Sequence, residues 1–178
     1  MIFFIQRAYA LRGDVLKKVC FVIFILAALM LFCLLSCGKS DTLYDILSES
    51  IAEEKTLTAG KILCYGRHYD NPISLDSLSD CLGIDGYEKF AERIEDFALF
   101  STIQGDYGEV MLIRLYSVYD TDDAMLLIQR RANEIKRALN VSEKKGCGEA
   151  EIVKKGNTVA LYMLPDGCAA RKKIDGRI

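Results

Sequence analysis

Apolar residues recur along this chain in three distinct patterns. Val19–Leu35 is an unbroken run of 17 apolar residues. In "DTLYDILSESIAEEKT", Asp41–Thr56, apolar residues fall at Leu43, Ile46, Leu47 and Ile51. That spacing predicts a one-faced helix, capped by Asp41 or Thr42. Residues 66–86, "GRHYDNPISLDSLSDCLGIDG", are rich in turn signals, with room for a short helix over Ser74–Leu82. Tyr87–Glu95 also suits a helix. From Phe97 the β-formers take over. "FALFSTI" and "EVMLIRLYSVY" predict two strands joined across Gln104–Gly108 as a hairpin. Val110–Ile113 is apolar on both faces, which predicts a central strand covered on both sides. "DTDDAMLLIQRRANEIKRALN", Asp120–Asn140, is helical, with acids in its first turn and bases further along, the arrangement a helix dipole favours. Its buried stripe runs through Ala124, Leu127, Ile128, Ile135 and Leu139, with the Arg131 stem between. "AEIVKKGNTVALYML", Ala150–Leu164, is a hairpin turning at Gly156-Asn157.

These elements define an α+β domain: a small antiparallel sheet of about four strands, ordered strand-strand-helix-strand-strand, with helices mainly on one face. The organisation expected is a signal segment over 1–36, a tether over 37–41, one domain over 42–164 and a flexible tail over 165–178. Charge narrows the partners. The whole chain has 23 basic and 25 acidic residues; removing the four bases and one acid before Cys37 leaves 19 against 24, a net charge near −5. A mildly acidic domain is a poor match for nucleic acid, which needs a positive field.

The long apolar run is at the lower limit for a membrane span and carries nothing polar, which argues against a core helix. Lys17 and Lys18 stand before it and the small Ser36 behind it, the plan of a secretory signal. Leu34-Leu35-Ser36-Cys37 resembles a bacterial lipobox. The resemblance implies cleavage between Ser36 and Cys37, a diacylglyceryl thioether on the Cys37 sulfur and acylation, as by palmitate, of the new amino terminus. Two or three chains anchor stably where one binds only marginally. The protein would then sit outside the cytoplasm, on the outer face of the cell membrane. The segment "MIFFIQRAYALRGD" is unusually long for the charged region of such a signal, and Val15 stands where a compact signal would begin.

The order of elements resembles a second family, the uncharacterised small lipoproteins of clostridia-like Gram-positive bacteria that carry a domain of unknown function. "CLGIDGYEKFAERI", Cys81–Ile94, stands in place of that family's "LYGID"-like element, with Cys81-Leu82 replacing Leu-Tyr. Glu109 opens a strand, Asp122-Asp123 open a helix, and "IVKKGNTVALYML" closes the chain as a hairpin. The resemblance spans roughly Thr42–Leu164 and implies fold and location; it brings no activity.

Candidate chemistry is sparse. His68 is the one histidine, so His-pair metal sites are absent and any triad would have to use it. Asp70, Asp76, Asp80 and Asp85 cluster without the spacing of a calcium loop. Cys64, Cys81, Cys147 and Cys168 remain once Cys20 and Cys33 leave with the signal. None forms a CxxC pair. A Cys64–Cys81 bridge across the His68 loop and a Cys147–Cys168 bridge around the last hairpin are expected, with four free thiols as the alternative. Tyr65, Tyr69 and Tyr107 fall in predicted loops, where they would anchor a partner or pack their rings. No cofactor and no metal is expected. The reading is a non-catalytic binding or scaffolding module with a protein partner at the cell surface. The alternatives are an accessory protein capturing a small solute or cation for a transporter, and a thiol enzyme pairing a free cysteine with His68. Translation is expected to start at Val15 from a non-AUG codon. Mass spectrometry of the uncleaved precursor should therefore yield no peptide covering Phe3–Arg12, and finding one would place the start at Met1.

Overall fold

Ladders of paired backbone, antiparallel throughout, assemble five strands in the order β1-β2-β3-β5-β4. They are β1 (Gly60–Gly66), β2 (Ile94–Thr102), β3 (Glu109–Leu115), β4 (Glu151–Lys155) and β5 (Thr158–Met163). The computed structural model describes residues 41–57, 59–83, 88–103, 107–141, 149–165 and 167–178. The helices are α1 (Leu43–Ala52), α2 (Leu75–Leu82), α3 (Glu88–Ala91), α4 (Thr121–Val141) and α5 (Ala170–Asp175). The fold is α+β, as the periodicity predicts.

Strand alternation sorts the core into two layers. Residues directly opposite in a ladder share a face. Phe97, Ile113 and Val159 stand in one row, and Ala98, Leu112 and Ala160 in the next. The first face carries Phe97, Leu99, Met111, Ile113 and Leu161 under α2, α3 and α4. The opposite face carries Ala98, Phe100, Val110, Leu112 and Tyr162, packed with Leu43, Ile46 and Leu47 of α1 and Ile174 of α5. β3 lies in the middle, and Val110–Ile113 is buried from both sides, as expected of a central strand.

Three features differ from the sequence reading. The sheet has five strands because β1 pairs along β2 from Gly60↔Thr102 to Gly66↔Asp96. β1 is a half-exposed edge strand bounded by glycines, so it shows neither clean alternation nor an apolar run. Gly60 is needed there: a Cβ would come within 2.6 Å of both the Phe100 ring and the Ser101 carbonyl. Helices cover both faces rather than mainly one. The second layer is closed by the segment expected to be a tail over 165–178. Its Ala170 and Ile174, one helical turn apart, are fully buried. Finally, the helix expected over Tyr87–Glu95 is only the short α3, because β2 begins at Ile94.

Local chemistry sets the remaining boundaries. Thr42 and Asp45 form a reciprocal capping box at the start of α1. Ser74 caps α2 through the Ser77 amide, and Gly83 ends it in the left-handed conformation. Gly156, with φ +57°, makes the β4–β5 turn, and Asn157 donates from its side chain to the Leu115 carbonyl at 2.6 Å. The α1–α5 seam is rimmed by ion pairs: Arg177 with Asp41 and Glu49, and Lys173 with Glu53. Replacing Ile174→Ala should lower the unfolding free energy by about 2–4 kcal/mol, as cavity-forming core truncations do. Equilibrium urea unfolding measures it, and a change within error would mean that residues 165–178 are a tail after all.

Candidate functional site

A carboxylate taken out of water must be met by donors, and the sheet buries two, one on each face. Asp96 lies on the α1 face, at the start of β2. Its Oδ2 accepts from the Leu43 amide at 2.7 Å and its Oδ1 from the Tyr69 hydroxyl at 2.7 Å. Leu43 is the first residue of α1, so the charge also sits at the positive end of the helix dipole. His68 Nε2 lies 3.4 Å from Oδ1 and Arg114 Nη1 3.8 Å from Oδ2. The Tyr69 hydroxyl in turn accepts from the Tyr44 amide at 3.2 Å. Burial, and then the hydrogen bond to Asp96, push the Tyr69 phenol well above its ordinary range, so it stays a donor.

Glu109 opens β3 on the other face. Arg131, from α4, meets it with a two-pronged contact, Nε to Oε1 at 2.7 Å and Nη2 to Oε2 at 2.8 Å. The Tyr107 hydroxyl donates to the same carboxylate, and Arg131 Nη1 donates to the Cys81 carbonyl at the end of α2. Burial works against the Arg131 charge, but the hydrogen bonds and charge of Glu109 outweigh it, so arginine is held more firmly protonated.

The cysteines are placed apart. Cys64 is opposite Ala98 in the ladder and so faces α1, whereas Cys81 packs into the layer under α4. The expected Cys64–Cys81 bridge is therefore not formed, and both thiols are free. The sequence suggested it because the two residues flank one loop; the sheet separates them. Cys168 bonds no described cysteine. Cys147, and the anchor residues Ser36 and Cys37, lie outside the described residues. Burial pushes the Cys64, Cys81 and Cys168 thiols up, and the Asp96 charge adds to this at Cys64. A nucleophilic cysteine needs the opposite shift. No group of three His, Cys, Asp or Glu side chains among the described residues is placed to hold a metal ion.

Of the two roles open to the loop tyrosines, packing into the fold is the one the structure shows. Tyr65 is half-buried in β1, Tyr69 is held by Asp96 and Tyr107 by Glu109. Ile103, Tyr44 and Leu75 are exposed singly elsewhere, while a group of exposed apolar side chains gathers around the β3–α4 turn and the start of α4. Tyr116 is 54% exposed, Tyr119 92% and Leu126 71%. The turn is held by several hydrogen bonds. The Tyr116 amide donates to the Arg93 carbonyl at 3.0 Å. Ser117 caps a single 3₁₀ turn over Val118–Asp120, and the Thr121 hydroxyl donates to the Val118 carbonyl at 2.6 Å. Arg93 Nη1 bridges Asp120 at 3.0 Å and Asp123 at 3.2 Å.

Two clefts flank the α3 segment. One, of about 420 Å³, is lined by Lys89, Phe90, Arg93, Leu126, Leu127 and Arg130, with Asp123 at its edge. The other, of about 520 Å³, lies among Tyr65, Arg67, Pro72, Ala91, Ile94 and Tyr116, with Glu92. Nothing in a single sequence marks Tyr116 and Tyr119 out, because a strand ending in Tyr-Ser-Val-Tyr reads as more strand. Only the turn into α4 exposes them.

No family model, curated protein or solved structure matches this chain.

Breaking a buried ion pair from one side strands a charge. Arg131→Met should cost about 3–5 kcal/mol of stability, and adding Glu109→Leu should recover most of it. Urea unfolding of the two variants checks this; a single variant within about 1 kcal/mol of wild type would show that the pair does not hold the two layers together.

Proposed function

We propose that this protein is a lipid-anchored extracytoplasmic module that binds a protein partner at the outer face of the cell membrane, without catalysis. The observation that carries the binding role is the exposed Tyr116, Tyr119 and Leu126 beside two clefts, on a domain whose buried carboxylates are both spent on holding helices. Tyrosine and arginine are enriched among the hot spots of protein interfaces. The anchor is supported by the Leu34–Cys37 lipobox after a basic and then apolar segment. Helix α1 begins six residues past Cys37, so the tether is short. No helix among the described residues is long and apolar enough to cross a membrane.

Capture of a small solute for a transporter is the second reading. It is favoured by the cleft volumes of about 420 and 520 Å³, which fall within the usual range for ligand pockets. The thiol-enzyme reading has less support, since the described thiols are all pushed away from the reactive thiolate.

The anchor is tested by detergent partition of the expressed protein. The wild type should enter the detergent phase and carry acyl groups on a peptide beginning at Cys37, and Cys37→Ser should stay at the size of the unprocessed precursor without acyl groups. Processing of Cys37→Ser to the wild-type size, or a wild type without acyl mass, would exclude a lipobox.

A further inference from the structure

We infer that the face divided by α3 docks an acidic peptide segment carrying two apolar side chains; this rests on the binding-module reading above and names its partner. The residues of α3 and the turn after it form a ridge. Lys89, Phe90 and Arg93 line the cleft on one side, and Ala91, Glu92 and Ile94 line the cleft on the other. Each cleft has an apolar floor, Phe90 with Leu127 in the first and Ala91 with Ile94 in the second, wide enough for one large side chain. Exposed Tyr116 and Tyr119 stand on the adjoining turn.

Cations rim the first recess, where Lys89, Arg93 and Arg130 outnumber Asp123; at the second, Arg67 stands opposite Glu92. Arg93 is committed to Asp120 and Asp123, while Lys89 and Arg130 form no ion pair with a described residue. This rim stands out because residues 41–178 carry 18 bases against 24 acids. A local positive rim on an acidic domain steers and selects an acidic partner.

The same charges weigh against the other occupants. A second copy of the chain is itself acidic and would bring net repulsion. A polyanion without apolar groups leaves both floors empty. A flat anionic membrane meets Glu92, Asp120 and Asp123 among the cations and cannot enter the recesses. A peptide with carboxylates flanking two Phe- or Leu-like side chains satisfies floor and rim together.

The test uses the full chain in neutral detergent micelles and fluorescein-labelled hexapeptides rich in Glu and Asp with two Phe or Leu positions. Controls replace the acids by Lys, or the apolar positions by Ser. Binding by the acidic-apolar peptides alone is expected, and it should weaken with added salt. The Lys89→Glu/Arg130→Glu double variant and Tyr119→Ala should each weaken it about tenfold or more. All three side chains are exposed, and an unchanged thermal midpoint verifies folding. The inference is overturned by any of four results: no peptide binds, the Ser controls bind equally well, the variants bind as wild type, or sedimentation shows the face covered by a second copy. None of these readouts involves the acyl chains, so failure here leaves the anchor standing, and failure of the anchor leaves the peptide result readable.

Discussion

The two-pronged contact between Arg131 and Glu109 organises more of this domain than any other polar interaction. Glu109 is the first residue of the central strand, and it lies on a face otherwise built of Phe97, Met111, Ile113 and Leu161. A lone carboxylate there would be prohibitive. Arg131 answers it from α4, the longest helix among the described residues, and the same guanidinium reaches the Cys81 carbonyl at the end of α2. One side chain thus sets the register of α4 on the sheet and the position of α2 beside it. Asp96 does the matching task on the reverse face, holding the first amide of α1 and the Tyr69 hydroxyl. Buried ion pairs add little net stability over apolar packing, yet they penalise every arrangement that leaves them unpaired. Here they specify how two helical layers sit on one sheet.

That division explains what the sequence could reveal. The β2–β3 and β4–β5 hairpins, the long α4 and the one-faced α1 were legible because each has a strong period of its own. Strand β1 was not. Its residues are half-exposed at a sheet edge, so neither alternation nor a continuous apolar run marks it. The helix α5 was hidden for a similar reason. Ala170 and Ile174 are only two apolar positions among Arg and Lys, and their burial becomes apparent only when α1 lies alongside. In the sequence Arg131 is a stem within an apolar stripe; that its head group meets Glu109, 22 positions earlier, is a matter of tertiary geometry.

The candidate site was the least legible part. The tyrosines that read as loop residues are taken up by the fold, and the ones at the surface, Tyr116 and Tyr119, sit in what reads as strand. Cysteine spacing misled for a comparable reason: proximity along the chain does not survive being placed on opposite faces of a sheet. The lone histidine is beside a carboxylate, but that carboxylate already accepts from a backbone amide and a phenol. The pair is therefore better suited to fixing a loop than to moving protons.

The seam between α1 and α5 also bears on the order in which the molecule can be completed. Helix α1 emerges first among the described elements, yet its apolar side rests on Ala98, Phe100 and Tyr162 and on a helix ending at Asp175. Contacts of such long sequence separation form late and slowly. A chain emerging amino end first must hold that greasy surface uncovered until β5 and α5 have emerged. Asp45 and Glu49 on α1, with Glu53 and Glu54 just past its end, would keep the waiting segment soluble and apart from its neighbours.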